Sequence, residues 1–245
     1  YKHFSYLSIL KIKINNVLSL ILERKIVLFY YICMADYIRA RSYDQKEERL
    51  NQIKKATEEL FENFPYTEIT LSTIAEKLGW SRANLYKYVT TKEEIILEIA
   101  SDKMTAYFNS LLSAFPQKNN FSLEVIAEVW AGLVNAHQDY MRYVSYLNPI
   151  IETNVTVERL ASFKKKYYNF AYLFRDRLSQ MLNISAEKSY KIQLDVLFFA
   201  SSNAVCCYKN PLVKAALDQI GIIPPKMDFY EDMKTFILMR LSWEK

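Results

Sequence analysis

The segment Thr70–Glu94 reads TLSTIAEKLGWSRANLYKYVTTKEE. Thr70 is placed to cap a short helix, its hydroxyl accepting from a backbone N–H that has no partner inside the helix. Ile74, Ala75 and Leu78 give that helix an apolar face. Gly79 ends it, at a position where left-handed backbone is costly for any other residue. Ser81 then caps a further helix, expected from Arg82 to Val89, with Leu85 and Val89 one turn apart on its buried side. Ala75, Gly79 and Leu85 stand four and then six residues apart. A small residue where two helices cross, a glycine in the corner and an apolar residue packing back are the requirements of a helix-turn-helix.

Burying Leu85 and Val89 leaves Arg82, Ala83, Asn84, Tyr86, Lys87 and Tyr88 for solvent or a partner. Arginine pairs with guanine and asparagine with adenine in the major groove. Tyrosine hydroxyls reach phosphate oxygens. A solvated helix face is the plainer alternative, and two tyrosines among the outward positions weigh against it. From Lys77 to Lys92 the chain carries Lys77, Arg82, Lys87 and Lys92 and no acid. Phosphate contacts need positive charge of this local kind, where the backbone passes. A fourth helix opens at Thr91, with Thr91 and Glu94 spaced for a reciprocal capping box. Lys92 stands at that opening, near the positive end of the helix dipole, where it serves equally as a phosphate contact or as a plain surface lysine.

Upstream, a helix is expected from about Asp44 to Phe64. Leu50, Ile53, Thr57, Leu60, Phe61 and Phe64 fall on one face, and Pro65 ends it. Downstream, helices are expected from Glu93 through to Phe115, over 122–147 with a break near Ala136–Asp139, and over 153–182, 187–209 and 228–242. The chain has only three glycines in 245 residues. Strand-rich folds and nucleotide-binding α/β folds need more of them at turns and phosphate loops, so an all-α protein is expected.

The run TLSTIAEKLGWSRANLYKYVTTKEEIILEI, preceded by ATEELF, resembles the N-terminal domain of TetR-family regulators over about residues 46–100. The resemblance rests on Thr70, Ile74-Ala75, Gly79-Trp80-Ser81, Leu85-Tyr86-Lys87-Tyr88-Val89 and Thr91-Lys92-Glu93. It implies an all-α architecture: an N-terminal three-helix DNA-binding domain and a larger helical domain for ligand binding and dimerisation. In it Arg82, Ala83 and Asn84 face base edges, while Thr70, Tyr86, Tyr88 and Lys92 fix the DNA backbone, joined by Lys87 on charge. It further implies a homodimer through the helices near 187–209 and 228–242, a near-palindromic double-stranded operator, and a small-molecule effector that controls what is usually a repressor. Pro65, Trp80 and Val89 depart from the family pattern, which often has glycine, a small aliphatic residue and phenylalanine there. None of these departures removes an expected DNA contact.

The expected domains are 44–92 and 93–245, with 1–43 outside both. Residues 1–33 carry five Lys/Arg against one acid, and the first methionine is Met34. We read Met34 as the expected start and the residues before it as leader. Their apolar runs, Val17–Leu22 and Ile26–Cys33, are too short to span a bilayer, which takes about 20 apolar residues. Residues 34–115 carry 11 Lys/Arg against 13 Asp/Glu, so the net charge of +5 is itself no argument for nucleic acid. Three cysteines, Cys33, Cys206 and Cys207, without CxxC spacing give no disulfide framework or zinc site, and a reduced, cytoplasmic setting fits them. No cofactor and no metal are expected, and no catalytic residue: the chain lacks a nucleophile–base pair and a phosphate loop. An adaptor of the same fold, acting through protein partners, is the alternative function.

In the C-terminal half, Trp130, His137 and Asn203 are the candidate ligand contacts. Trp130 and His137 lie in an aromatic-rich stretch that reads more readily as core. Ser201, Ser202 and Asn203 interrupt an apolar helix, as pocket lining, as a close helix contact or as a short exposed arc.

Overall fold

The computed structural model describes residues 45–117, 121–206 and 211–243. The expectations for residues 1–43, including the start at Met34, lie outside the described residues. The chain divides between Gln52 and Ile53 into two units. Of the first, the described part is the opening of helix α1, which runs over 45–63. Within it Arg49 Nη1 donates to Gln52 Oε1 at 2.9 Å.

The second unit is all-helical among the described residues. The rest of α1 buries Ile53, Ala56, Thr57 and Phe61, as the helical spacing predicts. The buried Thr57 hydroxyl donates to the Ile53 carbonyl at 2.8 Å, so its burial leaves no polar group unpaired. Phe64, expected on the same face, is 46% exposed because the helix has already ended. Pro65 starts a 3-10 turn, Tyr66–Glu68. Then come α2, Leu71–Lys77, and α3, Arg82–Leu85. The third helix is shorter than the expected Arg82–Val89. After Tyr86 its bonds become Lys87 N–H to Asn84 O and Tyr88 N–H to Leu85 O, the tighter three-residue pattern.

Helix α4, Lys92–Ala114, begins at the expected boundary between residues 92 and 93. It buries Ile95, Ile96, Ile99, Met104, Phe108 and Leu111 against the helices around it. Those are α5, Leu123–Ala136, α6, Gln138–Tyr146, and α7, Val157–Leu182. The expected break in 122–147 falls at His137. Between α6 and α7 lies a π turn, Leu147–Ile151, in which Glu152 N–H donates to Leu147 O at 2.9 Å. Pro149 sits inside it and offers no N–H to an α-helical ladder, so the turn widens.

Three further helices complete the fold: α8, Ala186–Cys206, α9, Pro211–Gln219, and α10, Phe229–Ser242. Helix α10 lies along α5 and α8, and α8 along α6 and α7. Arg240 Nε bonds Asp195 Oδ2 at 2.7 Å between α10 and α8, and Phe199 stacks on Phe236 with centroids 3.9 Å apart. Helix α9 went unread in the sequence because Pro211 looked like a breaker. As the first residue of a helix proline loses nothing, since that N–H has no partner anyway. No helix among the described residues is long and apolar enough to cross a membrane.

Candidate nucleic-acid interface and interior cavity

The corner between α2 and α3 is held by backbone chemistry. Trp80 N–H donates to Ala75 O at 2.8 Å and Gly79 N–H to Glu76 O at 3.0 Å. This pair of bonds is the Schellman closure of a helix, which needs a left-handed residue at its corner. Gly79 supplies it with φ +67°. A side chain at Gly79 would meet nothing within 4 Å, so the constraint is conformational rather than steric. Gly79→Ala therefore costs about 1–2 kcal/mol, the left-handed penalty alone, readable as a lower midpoint in urea unfolding.

At the other end of α2 the Thr70 side chain accepts from Thr73 N–H at 3.1 Å, while the Thr73 hydroxyl oxygen accepts from Thr70 N–H at 2.9 Å. Ser81 caps α3 in the same way, from Asn84 N–H at 3.2 Å. Leu85 and Val89 are buried at 0% and 2% exposure, and Ala75 at 2%, which fixes the face of α3 that turns inward. The opposite face presents Arg82, Ala83, Tyr86 and Lys87 as exposed residues, with Asn84 and Tyr88 half-buried. Arg82 Nη2 donates to the Tyr86 hydroxyl at 3.3 Å, so the guanidinium is already extended along the helix. Trp80 lies beside Tyr88, with centroids 5.9 Å apart, which gives the departure at Trp80 a packing partner on this surface.

Two members of the basic run are engaged elsewhere. Lys77 pairs with Glu59 of α1 at 2.8 Å. Lys92 Nζ donates to the carbonyls of Ile69 and Tyr66 at 2.7 and 2.9 Å and sits 3.8 Å from the centre of the Tyr66 ring. The expected phosphate contact from Lys92 thus meets a group already in use. These two carbonyls at the 3-10 bend draw the ammonium inward, although Tyr66 O also accepts from Ile69 N–H at 3.3 Å. Burial lowers the Lys92 pKa, and the neighbouring Glu93 opposes that shift. The Tyr66 hydroxyl bonds Glu93, and the Tyr66 ring stacks on Tyr146 of α6 at 5.5 Å.

Half of the expected capping box at Thr91 is present. Thr91 Oγ1 accepts from Glu94 N–H at 3.2 Å. The Glu94 carboxylate reaches past it to Thr90 N–H at 2.9 Å, and its other oxygen faces Arg159 Nε of α7 at 3.3 Å. Arg159 also meets Glu98 at 3.2 Å. A charged partner from α7 outweighs the local bond that spacing alone suggests. Thr91 Oγ1 further donates to the Asn154 carbonyl at 3.4 Å, and Arg142 of α6 donates to Phe61 O, at the end of α1, at 2.9 Å.

The three candidate ligand residues are placed apart. Trp130 is fully buried between Tyr107, which accepts its indole N–H at 3.0 Å, and Phe174, edge-on at 5.1 Å. Asn203 is half-buried on α8. His137 lies at the α5–α6 junction with Nε2 3.0 Å from Ser110 Oγ. Burial lowers the His137 pKa, and Lys103 adds to the shift while Asp139 opposes it. A depressed folded pKa makes its contribution to stability present at pH 7.5 and lost as pH falls below about 6.5, the unfolded value. Acidification from pH 7.5 to 5.5 is expected to lower Tm, and His137→Gln to make that drop smaller.

None of the three lines the half-open cavity of about 260 Å³ between α6, α7 and α8. Tyr140, Tyr167, Tyr168 and Tyr190 line it, together with Glu152 and Lys164, which pair at 2.7 Å. The spacing of the tyrosines on α7 reads as core and does not mark a cavity. That they meet Glu152 and Tyr190 depends on contacts across three helices.

No curated protein matches the sequence. Among the solved structures that share the fold are three transcriptional or degradation regulators. A TetR/AcrR-family transcriptional regulator from Thermobifida fusca matches at 15% identity over 81% of this chain and 99% of its own, with TM-score 0.53. The fatty acid degradation regulator FadR from Bacillus halodurans matches at 14% identity over 79% and 94%, with TM-score 0.53. The TetR-family transcriptional regulator PfmR from Thermus thermophilus matches at 15% identity over 78% and 97%, with TM-score 0.52. The family model for bacterial regulatory proteins of the tetR family matches residues 53–99, which hold the whole corner and the start of α4. The model for the tetracyclin repressor-like C-terminal domain matches residues 101–242, more than half of the chain. The chain belongs to the TetR family of DNA-binding transcriptional regulators.

Proposed function

We propose that the protein is a homodimeric repressor that reads a near-palindromic operator with α3 and is released by a small molecule. The observation that carries the DNA-reading part is the outward face of α3, with Arg82, Ala83, Tyr86 and Lys87 exposed over a buried Leu85 and Val89. Arg82, Ala83 and Asn84 take the base edges, arginine to guanine and asparagine to adenine. Thr70, Tyr86, Lys87 and Tyr88 take phosphates. Lys92 braces the bend behind them through Tyr66 and Ile69.

Support for the dimer comes from α8 and α10, where Phe198, Val205 and Met239 are 50%, 42% and 43% exposed. Apolar side chains of this size gain most by meeting a second copy. A two-fold dimer sets its recognition helices about 34–36 Å apart, one turn of DNA, and so asks for a near-palindrome. Support for ligand control comes from the segment after α6. Leu147 and Glu152 line the cavity, and Asn154, two residues on, meets the cap of α4. A change in the cavity wall is thereby passed to the turn that follows α3.

Selection of bound DNA from a random duplex pool tests this reading. A two-fold motif with half-sites one turn apart, bound with steep salt dependence by a dimer of the full chain, is the expected result. Enrichment of no motif, or of an asymmetric one bound by a monomer, defeats it.

A further inference from the structure

The cavity between α6, α7 and α8 is lined by four tyrosines, an ion pair, Asn148 and an apolar remainder. Among the described lining residues the only charged ones are Glu152 and Lys164. They meet at 2.7 Å, with side chains 15% and 36% exposed, so each already holds its counter-charge. An anionic ligand would have to take Lys164 from Glu152, and a cationic one Glu152 from Lys164. Either exchange leaves a carboxylate or an ammonium stranded in a partly dry wall, which costs more than the new pair returns.

The polar groups left to greet a ligand are uncharged: the phenol hydroxyls and the Asn148 amide. Tyr167, Tyr168 and Tyr190 stand close enough to interact electrostatically. Burial raises the pKa of Tyr140, Tyr167 and Tyr190, so all three stay protonated at neutral pH and can donate as well as accept. Their rings are also edges and faces for a flat partner. Tyr167 and Tyr168 meet edge-on at 5.3 Å, with Tyr168 and Phe198, 41% and 50% exposed, nearer solvent. Leu147, Phe163 and Leu197 complete the wall with apolar surface. At about 260 Å³ the space falls just under the roughly 300–1,000 Å³ of drug-sized sites, enough for a compound of one or two rings.

We infer that this cavity is the effector site and that it takes an uncharged, hydrogen-bonding compound of one or two rings, in preference to a carboxylate or an amine of the same size. The assignment rests on the ligand-controlled reading above and adds its chemistry. The satisfied Glu152–Lys164 pair rejects charge of either sign, and the tyrosine hydroxyls select for a polar group that keeps its own proton.

Titration calorimetry on the full chain at pH 7.5, with three matched probes, tests it. The probes are naphthalen-2-ol, naphthalene-2-carboxylate and naphthalen-2-ylmethylammonium. The neutral probe is expected to bind at least about 10-fold more tightly than either charged one. Glu152→Gln frees Lys164 and should improve carboxylate binding about 10-fold, while Lys164→Met frees Glu152 and should do the same for the ammonium. Equal or tighter binding of a charged probe by the unaltered protein overturns the inference. So does no binding of the neutral probe, or no change of preference in a Glu152→Gln variant whose helical circular dichroism and Tm match the parent. Operator binding without ligand is measured separately. If it holds while the neutral probe fails, the ligand class alone is wrong. If the probes rank as expected but no operator is bound, the DNA-reading proposal fails and the site stands.

Discussion

Arg82→Ala is expected to weaken binding to the selected operator by about 1–3 kcal/mol, or roughly 5- to 150-fold, and to flatten base preference at one position of each half-site. The guanidinium is exposed and lies along α3 against the Tyr86 hydroxyl, so its loss should leave folding unchanged. Lys87→Ala gives the contrasting pattern. It should weaken binding to cognate and random DNA alike and lower the salt slope by about one. Gel shifts on both DNAs at several salt concentrations separate the two. An equal loss on both DNAs for Arg82→Ala would remove it from the base edges.

Arg159→Ala should act from helix α7. It leaves the Glu94 carboxylate, whose side chain is 3% exposed, facing α7 with no cation. Breaking a buried pair from one side costs about 3–5 kcal/mol. Arg159 itself is 34% exposed, and Thr90 N–H still serves Glu94, so a loss of about 2–3 kcal/mol is expected here. Glu94→Gln added to Arg159→Ala should restore about half of it, because the amide oxygen keeps Thr90 N–H and no charge is stranded. Urea unfolding of the two single variants and the double variant measures this. A loss as large in the double variant as in Arg159→Ala would mean that the cost is packing, not charge. Operator affinity is expected to fall with stability in Arg159→Ala, because Thr90 is the first residue after the turn that ends α3.

The corner was legible in the sequence because its rules are local. Gly79 must be left-handed, Leu85 and Val89 must share a face, and Thr70 and Ser81 must cap, and each of these is met by residues close along the chain. Lys92 and Glu94 were legible only in part. Their spacing placed them at a helix opening, but the carbonyls of Tyr66 and Ile69 and the guanidinium of Arg159 come from far along the chain and decide what each side chain does. The cavity was not legible: the aromatic spacing on α7 reads as core, and Tyr167 and Tyr168 line the space instead. Trp130 has the composition of a pocket residue, yet its indole N–H is spent on Tyr107 and its ring on Phe174. The tyrosines that do line the space sit on three helices, and which of their faces meet is a property of packing that no window of sequence carries.

The way Tyr66 is seated bears on any attempt to study the reading head in isolation. Its ring meets both the Lys92 ammonium and the Tyr146 ring, and Phe61 stacks on Tyr143 at 4.7 Å. Both of those outer tyrosines belong to α6. An excised fragment ending at residue 99 would keep every DNA-facing side chain and lose Tyr143, Tyr146 and Arg142 together. Such a fragment is expected to melt well below the whole chain by circular dichroism, and to recover helix only when operator DNA is added. Removing residues 100–245 would thus take away the wall against which the helix-turn-helix is built.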